Sequence, residues 1–218
     1  QNGQISEEQI HQSAYKVLKA KEWLGIHREG RVELSNLYED LNKTDYTYLK
    51  RKLVEKSLTV IRNENQVLPI RELKGKRIVS LALAEEGVSY QPFQQALNLY
   101  AKVDTMHFTS LPVSKQKALM DTLLTYDQVI VSLHKSNKHP WVKFEIDNEF
   151  KNFINILRLK KNIILDVFAN AYSLQDFLGA DFAQGLILSY QNGEAAQELS
   201  AQLIFGGIQS YLLAFRQK

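Results

Sequence analysis

The chain has 218 residues, 44% hydrophobic and 23% charged, which is the balance of a folded globular protein rather than a disordered tail. Its formal net charge is +3, with Lys and Arg spread among Asp and Glu, so nothing marks a nucleic-acid-binding face. It has no cysteine, which excludes disulfides and thiolate metal sites. It also has no run approaching the roughly 20 apolar residues of a membrane helix.

The first residues, Gln1-Asn2-Gly3-Gln4, lack the apolar segment of a signal peptide. Periodicity then predicts a helix from Ser6 to Leu24. Ser6 is the N-cap, Glu7 and Glu8 sit at the positive end of the dipole, and Gly25 is the stop. Ile10, Ala14, Val17, Leu18 and Lys21 share one stripe, with Trp23 and Leu24 beside it. Ile26 to Thr44 reads as a linker with one short helix around Ser35 to Leu41. A second helix is predicted from Asp45 to Arg62, with Leu49, Leu53, Leu58, Val60 and Ile61 on its apolar side. Its run Lys50-Arg51-Lys52 is followed by Glu55 and reads as a solvated face, not a phosphate site. Asn63-Glu64-Asn65 breaks that helix, and Leu68-Pro69-Ile70 is extended because a residue before proline avoids the helical region.

From Lys76 onward, short apolar runs alternate with helical stretches. The runs are Ile78 to Leu83, Val103 to Phe108, Val129 to Leu133, Ile163 to Phe168 and Leu186 to Tyr190. They are continuous, as strands buried on both faces are. Between or after them lie helical stretches near Phe93 to Tyr100, Lys115 to Thr125, Glu145 to Leu157, Leu174 to Leu178 and Glu194 to Ile208. The expected fold class is α/β: a doubly wound, mainly parallel sheet of five or six strands with helices on both faces, preceded by an N-terminal helix and linker. The tail Tyr211 to Phe215 is apolar and has no evident partner.

Few residues stand out as chemistry. His134 and His139 are five apart without a third ligand, so no metal site is expected. His11, His27 and His107 are isolated and read as surface or locally satisfied residues. Glu85-Glu86-Gly87 follows the first strand of the alternating region and reads as a solvated turn, although ligand crevices form beyond the carboxyl ends of such strands. There is no G-x-G-x-x-G and no G-K-[ST], which argues against a nucleotide domain. Ser80, Ser132 and Ser189 do not sit in G-x-S-x-G, so no nucleophile elbow is present. Trp141 and Tyr172 fall on loops where an aromatic can stack on a sugar ring, or pack against another domain.

Five segments, in order, resemble family-3 glycoside hydrolases. Ser13 to Ile26 resembles the helix that closes their barrel domain, with its "R-I-L-x-x-K-x-x-x-G-L" run. Ser57-Leu58-Thr59-Val60-Ile61-Arg62-Asn63 through Leu68-Pro69-Ile70 resembles the start of their second domain, "S-x-x-L-L-K-N-x-x-x-x-L-P-L". Lys74 to Ile78 matches the approach to that domain's first strand. Phe168-Ala169-Asn170-Ala171-Tyr172 is similar to "F-G-N-P-Y", and Glu194 through Gly207 to the closing helix "A-x-Q-x-x-A-x-A-I-F-G". After Gly207, where the family has "L-P-V-S", this chain has Ile208-Gln209-Ser210-Tyr211-Leu212.

The resemblance implies that residues 1–45 are the helix and linker left from the end of a missing barrel, and that 46–218 are a second, α/β sandwich domain. It also implies retaining hydrolysis of terminal β-linked sugars, which needs two carboxylates about 5 Å apart. The nucleophile would be an aspartate on the absent barrel, so this chain alone is expected to be inactive, with no catalytic residue and no cofactor. In the β-glucosidase-like branch a glutamate on the loop after the second domain's third strand supplies the acid. Here that loop, His134 to Glu145, has no carboxylate before Glu145. The β-N-acetylglucosaminidase-like branch keeps a histidine with an aspartate on the barrel, and a second domain without an acid fits it better. The candidate sugar-contacting residues are His134, Lys135, Asn137, His139, Trp141 and Tyr172. The implied partners are the barrel of the same polypeptide and, through it, a carbohydrate, with no nucleic acid and no membrane span. The implied location is periplasmic or extracellular in a bacterium. Two rivals stay open: a second domain that supplies the acid from Glu145, and a stand-alone ligand-binding module using the crevice beyond the strands.

Overall fold

The computed structural model describes residues 5–26, 28, 34–136, 145–177, 183–209 and 211–212. The chain divides into two compact units, Gln1–Tyr46 and Thr47–Lys218.

In the first unit, helix α1 spans Glu7–Trp23 and α2 spans Leu37–Leu41. Ser6 caps α1 as expected. Its hydroxyl accepts the Gln9 N–H at 3.2 Å, and Gln9 Oε1 accepts the Ser6 N–H at 3.0 Å, closing a reciprocal capping box. Neither helix buries a residue. The apolar stripe predicted for α1 is therefore exposed, with Leu18 62% and Trp23 84% accessible.

Helix α3 (Thr44–Ser57), most of which lies in the second unit, leads into β1 (Thr59–Asn63). The expected single helix from Asp45 to Arg62 is corrected here. Leu58 is buried in the core, and Thr59, Val60 and Ile61 are three consecutive β-branched residues, which prefer the pleated conformation. Their apolar spacing continues that of α3, so periodicity alone did not separate them. The strand ends in a turn clipped by one side chain. Asn63 Nδ2 donates to Leu68 O at 2.7 Å, and Leu68 N donates to Asn63 Oδ1 at 2.9 Å. Asn65 and Gln66, at φ 52° and 55°, fill the bend. The spacing between Asn63 and Leu68-Pro69 in the motif is the span of that clip.

The remaining elements are β2 (Ile78–Ala84), α4 (Gln91–Leu97), β3 (Val103–Phe108), α5 (Val113–Leu123), β4 (Gln128–His134), α6 (Asn148–Lys160), β5 (Ile163–Phe168), β6 (Gly185–Leu188), α7 (Glu194–Ile204) and β7 (Tyr211–Leu212). Short 3-10 turns span Glu64–Gln66 and Ala171–Phe177. The sheet order is β3-β2-β4-β5-β6-β1-β7. Strands β3 to β6 in this order are parallel, β1 is antiparallel to β6, and β7 is parallel to β1. Four of the five predicted strands are buried along their length, apart from Gln128 at the start of β4. The fifth, β3, is an edge strand with Asp104, Thr105 and His107 exposed, so it is not covered on both faces.

Side chains alternate between two cores. Val79, Leu81, Leu83, Val131 and Leu165 pack under α5 and α6, which add Leu123, Phe153 and Leu157. Ile78, Ile130, Ile164 and Ile187 pack under α4 and α7, which add Phe93, Leu97, Leu199 and Ile204. Helix α7 ends at Ile204, not Ile208. Gly206 takes the left-handed conformation at φ 81°, its N–H reaches Leu203 O, and Gly207 N–H reaches Gln202 O at 2.7 Å. This pair of bonds satisfies the last carbonyls of the helix and turns the chain back. The tail beyond is not unpartnered: Tyr211 and Leu212 pair with Thr59 and Val60.

Candidate functional site

A doubly wound sheet opens a crevice where consecutive crossovers diverge. Here that point lies between β2, whose next strand β3 lies to one side, and β4, which lies on the other. A cleft of ≈ 420 Å³ sits at their carboxyl ends, lined among others by Glu85, Glu86, Thr109, Lys135, Glu145, Asp147 and Phe150. Glu85, expected in a solvated turn, lies against the cleft instead. Its carboxylate binds the Lys135 ammonium and accepts the Ser136 N–H at 3.2 Å, while its own N–H donates to His134 O at 3.1 Å. The loops after β2 and β4 are thereby tied together over the switch point.

The floor of the cleft is the start of α6. Asp147 is its N-cap, accepting the Glu149 N–H at 2.7 Å, and Glu149 Oε2 accepts the Leu111 N–H at 3.0 Å. The helix begins at Asn148, so Glu145 lies outside it and is not held by the helix dipole as the sequence pattern suggested. Glu145 is exposed and lines the cleft.

Of the other described site residues predicted from the sequence, His134 and Lys135 adjoin this cleft and Tyr172 does not. His134 is 2% exposed, and its ring lies on the opposite face of the sheet, stacked on Phe168 at 4.6 Å and edge-on to Phe93. Both ring nitrogens are engaged in the core, by Asn192 and Ser132, although the residue is also among those that line the cleft. Lys135 reaches the cleft but is committed to Glu85. Tyr172 is 65% exposed in the turn after β5, its N–H bound to Asn170 Oδ1 at 3.1 Å, and is not among the cleft-lining residues. Asn137, His139 and Trp141 lie outside the described residues, as does His27. His11 and His107 are exposed, and His107 stacks on Tyr90 at 4.8 Å. Arg51 of the basic run pairs with Glu198 of α7 at 2.6 Å. Among the described residues no three His, Asp or Glu side chains converge to hold a metal ion.

The buried face carries a polar layer that the sequence reading passed over. Asn192 Nδ2 donates to Ser89 O at 2.6 Å, which leaves its Oδ1 to face His134 Nδ1 at 2.7 Å. Nδ1 therefore carries the imidazole proton, and Nε2 accepts the Ser132 hydroxyl at 2.9 Å. Burial lowers the His134 pKa to about 4. Hydroxyl, imidazole and amide follow one another as in a hydrolytic triad, but Ser132 is fully buried mid-strand, and none of the three is an accessible nucleophile. On the adjacent strand Asp166 is fully buried, bound by the hydroxyls of Ser189 (2.8 Å) and Ser200. Burial, partly offset by those hydroxyls, pushes its pKa up to about 7. The signal for this residue was an Asp inside the apolar run Ile163 to Phe168, where a carboxylate is costly unless something accommodates it.

Fold and cleft together define a doubly wound α/β protein with its crevice at the carboxyl ends of the strands. No protein-family model and no curated protein sequence matches the chain. Solved structures do. A family-3 β-N-acetylglucosaminidase from Paenibacillus matches at TM-score 0.60 and 19% identity, covering 95% of this chain and 39% of that one. A fungal multi-domain family-3 β-N-acetylglucosaminidase matches at TM-score 0.60 and 20% identity, over 96% of this chain and 23% of that one. A β-glucosidase from Listeria innocua matches at TM-score 0.59 and 16% identity, over 94% and 32%. The chain therefore has the fold of one part of family-3 glycoside hydrolases, as its motifs implied, and spans well under half the length of these enzymes.

Proposed function

We propose that this chain is the C-terminal, non-catalytic domain of a family-3 glycoside hydrolase. It packs against the catalytic barrel and shapes the rim of the sugar site. The observation that carries this reading is the likeness over nearly the whole chain to enzymes it covers by only 23% to 39%. The uncovered stripe of α1 supports it, since contiguous exposed apolar residues mark an interface. Residues 1–45 are then the end of the barrel domain. The parent removes terminal β-linked sugars, N-acetylglucosamine first among them, because the loop that follows His134 has no carboxylate before Glu145. Its place is outside the bacterial inner membrane. Among the described residues no helix is long and apolar enough to cross a membrane.

The test is hydrolysis of aryl β-glycosides, the N-acetylglucosaminide included, by the chain alone and fused to the polypeptide that precedes it. The expected result is no turnover by the chain and turnover by the fusion. Turnover by the chain alone, lost on a point substitution within it, would place the active site here and end this reading. One observation favours a rival within the same family: Glu145 lines the cleft. If Glu145 is the acid, Glu145→Gln in the fusion lowers turnover at least about 100-fold and azide restores part of it. We expect instead a change of less than about threefold.

A further inference from the structure

Two ionisable side chains lie near one another in the core under α4 and α7, and neither faces an opposite charge. Asp166 on β5 is in register with Ser132 on β4, and His134 on β4 with Phe168 on β5, so the acid and the imidazole sit two residues apart across neighbouring strands. Every element packed against them presents a neutral group. Strand β4 gives the Ser132 hydroxyl, the turn after β6 gives Ser189 and Asn192, α7 gives Gln197 and Ser200, and α4 gives the ring of Phe93. Tyr90, just before α4, is tilted toward His134 at 6.3 Å, with the exposed His107 beyond it. The carboxylates of α7 point elsewhere: Glu198 binds Arg51, and Glu194 is exposed.

The same contacts seat α7. Ser200 ties its middle to Asp166. Gln197, one turn earlier, accepts the Phe93 N–H at 3.1 Å and donates to Ser89 O and to Asn192 Oδ1, each at 3.1 Å. Asn192 Oδ1 is also the acceptor of the His134 Nδ1 proton, so one carbonyl oxygen joins helix, loop and strand.

We infer that the folded domain holds Asp166 as the neutral acid and His134 as the neutral base, and that α7 stays seated on the sheet only while both are uncharged. A carboxylate or imidazolium here would have hydroxyls and amides around it and no counter-ion, a costly arrangement in a low-dielectric interior. The two dependences on pH run in opposite directions. Asp166, raised from 3.8 to about 7, favours the folded state at low pH and loses that contribution as pH rises between those values. His134, lowered from 6.5 to about 4, makes the folded state lose stability as pH falls across that interval. Between about 4 and 6.5 the two slopes oppose, so this pair leaves the domain's stability nearly flat in mild acid.

The experiment is thermal unfolding of the 218-residue chain from pH 4 to pH 8, beside Asp166→Asn and His134→Gln. Relative to the parent chain, Asp166→Asn should lose several degrees in Tm on acidification from 6.5 to 4. His134→Gln, which can keep both hydrogen bonds, should lose several degrees as pH rises from 4 to 7. Three superimposable curves would overturn the inference, as would tilts of the opposite sign. If Asp166→Asn does not fold, carbon-detected NMR of the aspartate carboxyls in the parent chain decides. One carboxyl titrating near 7 supports the proposal, and every aspartate titrating below about 5 refutes it.

Discussion

The two sides of the sheet meet the same problem at their carboxyl ends and solve it differently. On the α5/α6 side, charge is allowed: Glu85 and Lys135 pair beside an open cleft. On the α4/α7 side, two groups that would be charged in water are buried among hydroxyls and amides. Where a polar group can reach solvent it keeps its charge and contributes little to stability. Where it cannot, it gives up the charge and becomes part of the core. Substitutions can break this contrast, and their expected sizes follow from it.

The largest effect belongs to the dry core between these ends. Phe153 on α6 is fully buried against Leu123, Val131 and Leu165. Phe153→Ala should cost about 3–5 kcal/mol in chemical denaturation, because the cavity it leaves is walled by rigid strands. A cost under about 1 kcal/mol would mean that α6 is only loosely docked.

Next comes the polar layer. His134→Phe keeps a ring against Phe168 but leaves the Ser132 hydroxyl and Asn192 Oδ1 without the imidazole. The expected loss is about 1–3 kcal/mol at pH 7, chiefly the cost of leaving the buried Ser132 hydroxyl unsatisfied, since Asn192 Oδ1 keeps the Gln197 amide, measured in the same denaturant series. At pH 4 the loss should shrink, since the parent chain there begins to bear the cost of protonating a buried imidazole and the variant does not.

This polar layer also shows what the sequence discloses and what it hides. The strands β2, β4 and β5 were legible because Ile78 to Leu83, Val129 to Leu133 and Ile163 to Phe168 are continuous apolar runs between crossover helices. Strand β1 was not, because Thr59 to Ile61 extends the apolar spacing of α3 without a break. Nor was β7, since two residues paired with β1 have no local pattern to betray them. The cleft was half legible. Its position follows from the order of the strands, and Glu85 lies beyond the first of them, but only the folded chain brings Lys135 across to it. Asp166 and Gln197 lie within a strand and a helix and take their meaning from burial, and Asn192 is a loop amide that takes its meaning from the partners the fold brings to it. His134 was read as the first residue of the loop after β4, whereas it is the last residue of that strand and its ring turns into the core, a direction that alternation settles only once the strand's end is known.

The smallest effect should be at the cleft. The Glu85 carboxylate is partly exposed, and its pair with Lys135 meets solvent. Lys135→Met, which keeps most of the aliphatic stem, should therefore change stability by less than about 1 kcal/mol, with any loss diminishing in high salt. The Glu85 carboxylate would keep its bond to the Ser136 N–H, so the loop after β4 should hold its place. A loss well above 1 kcal/mol, insensitive to salt, would show that the ion pair is as cut off from water as Asp166. The two sides of the sheet would then differ only in which groups they bury, not in whether solvent reaches them.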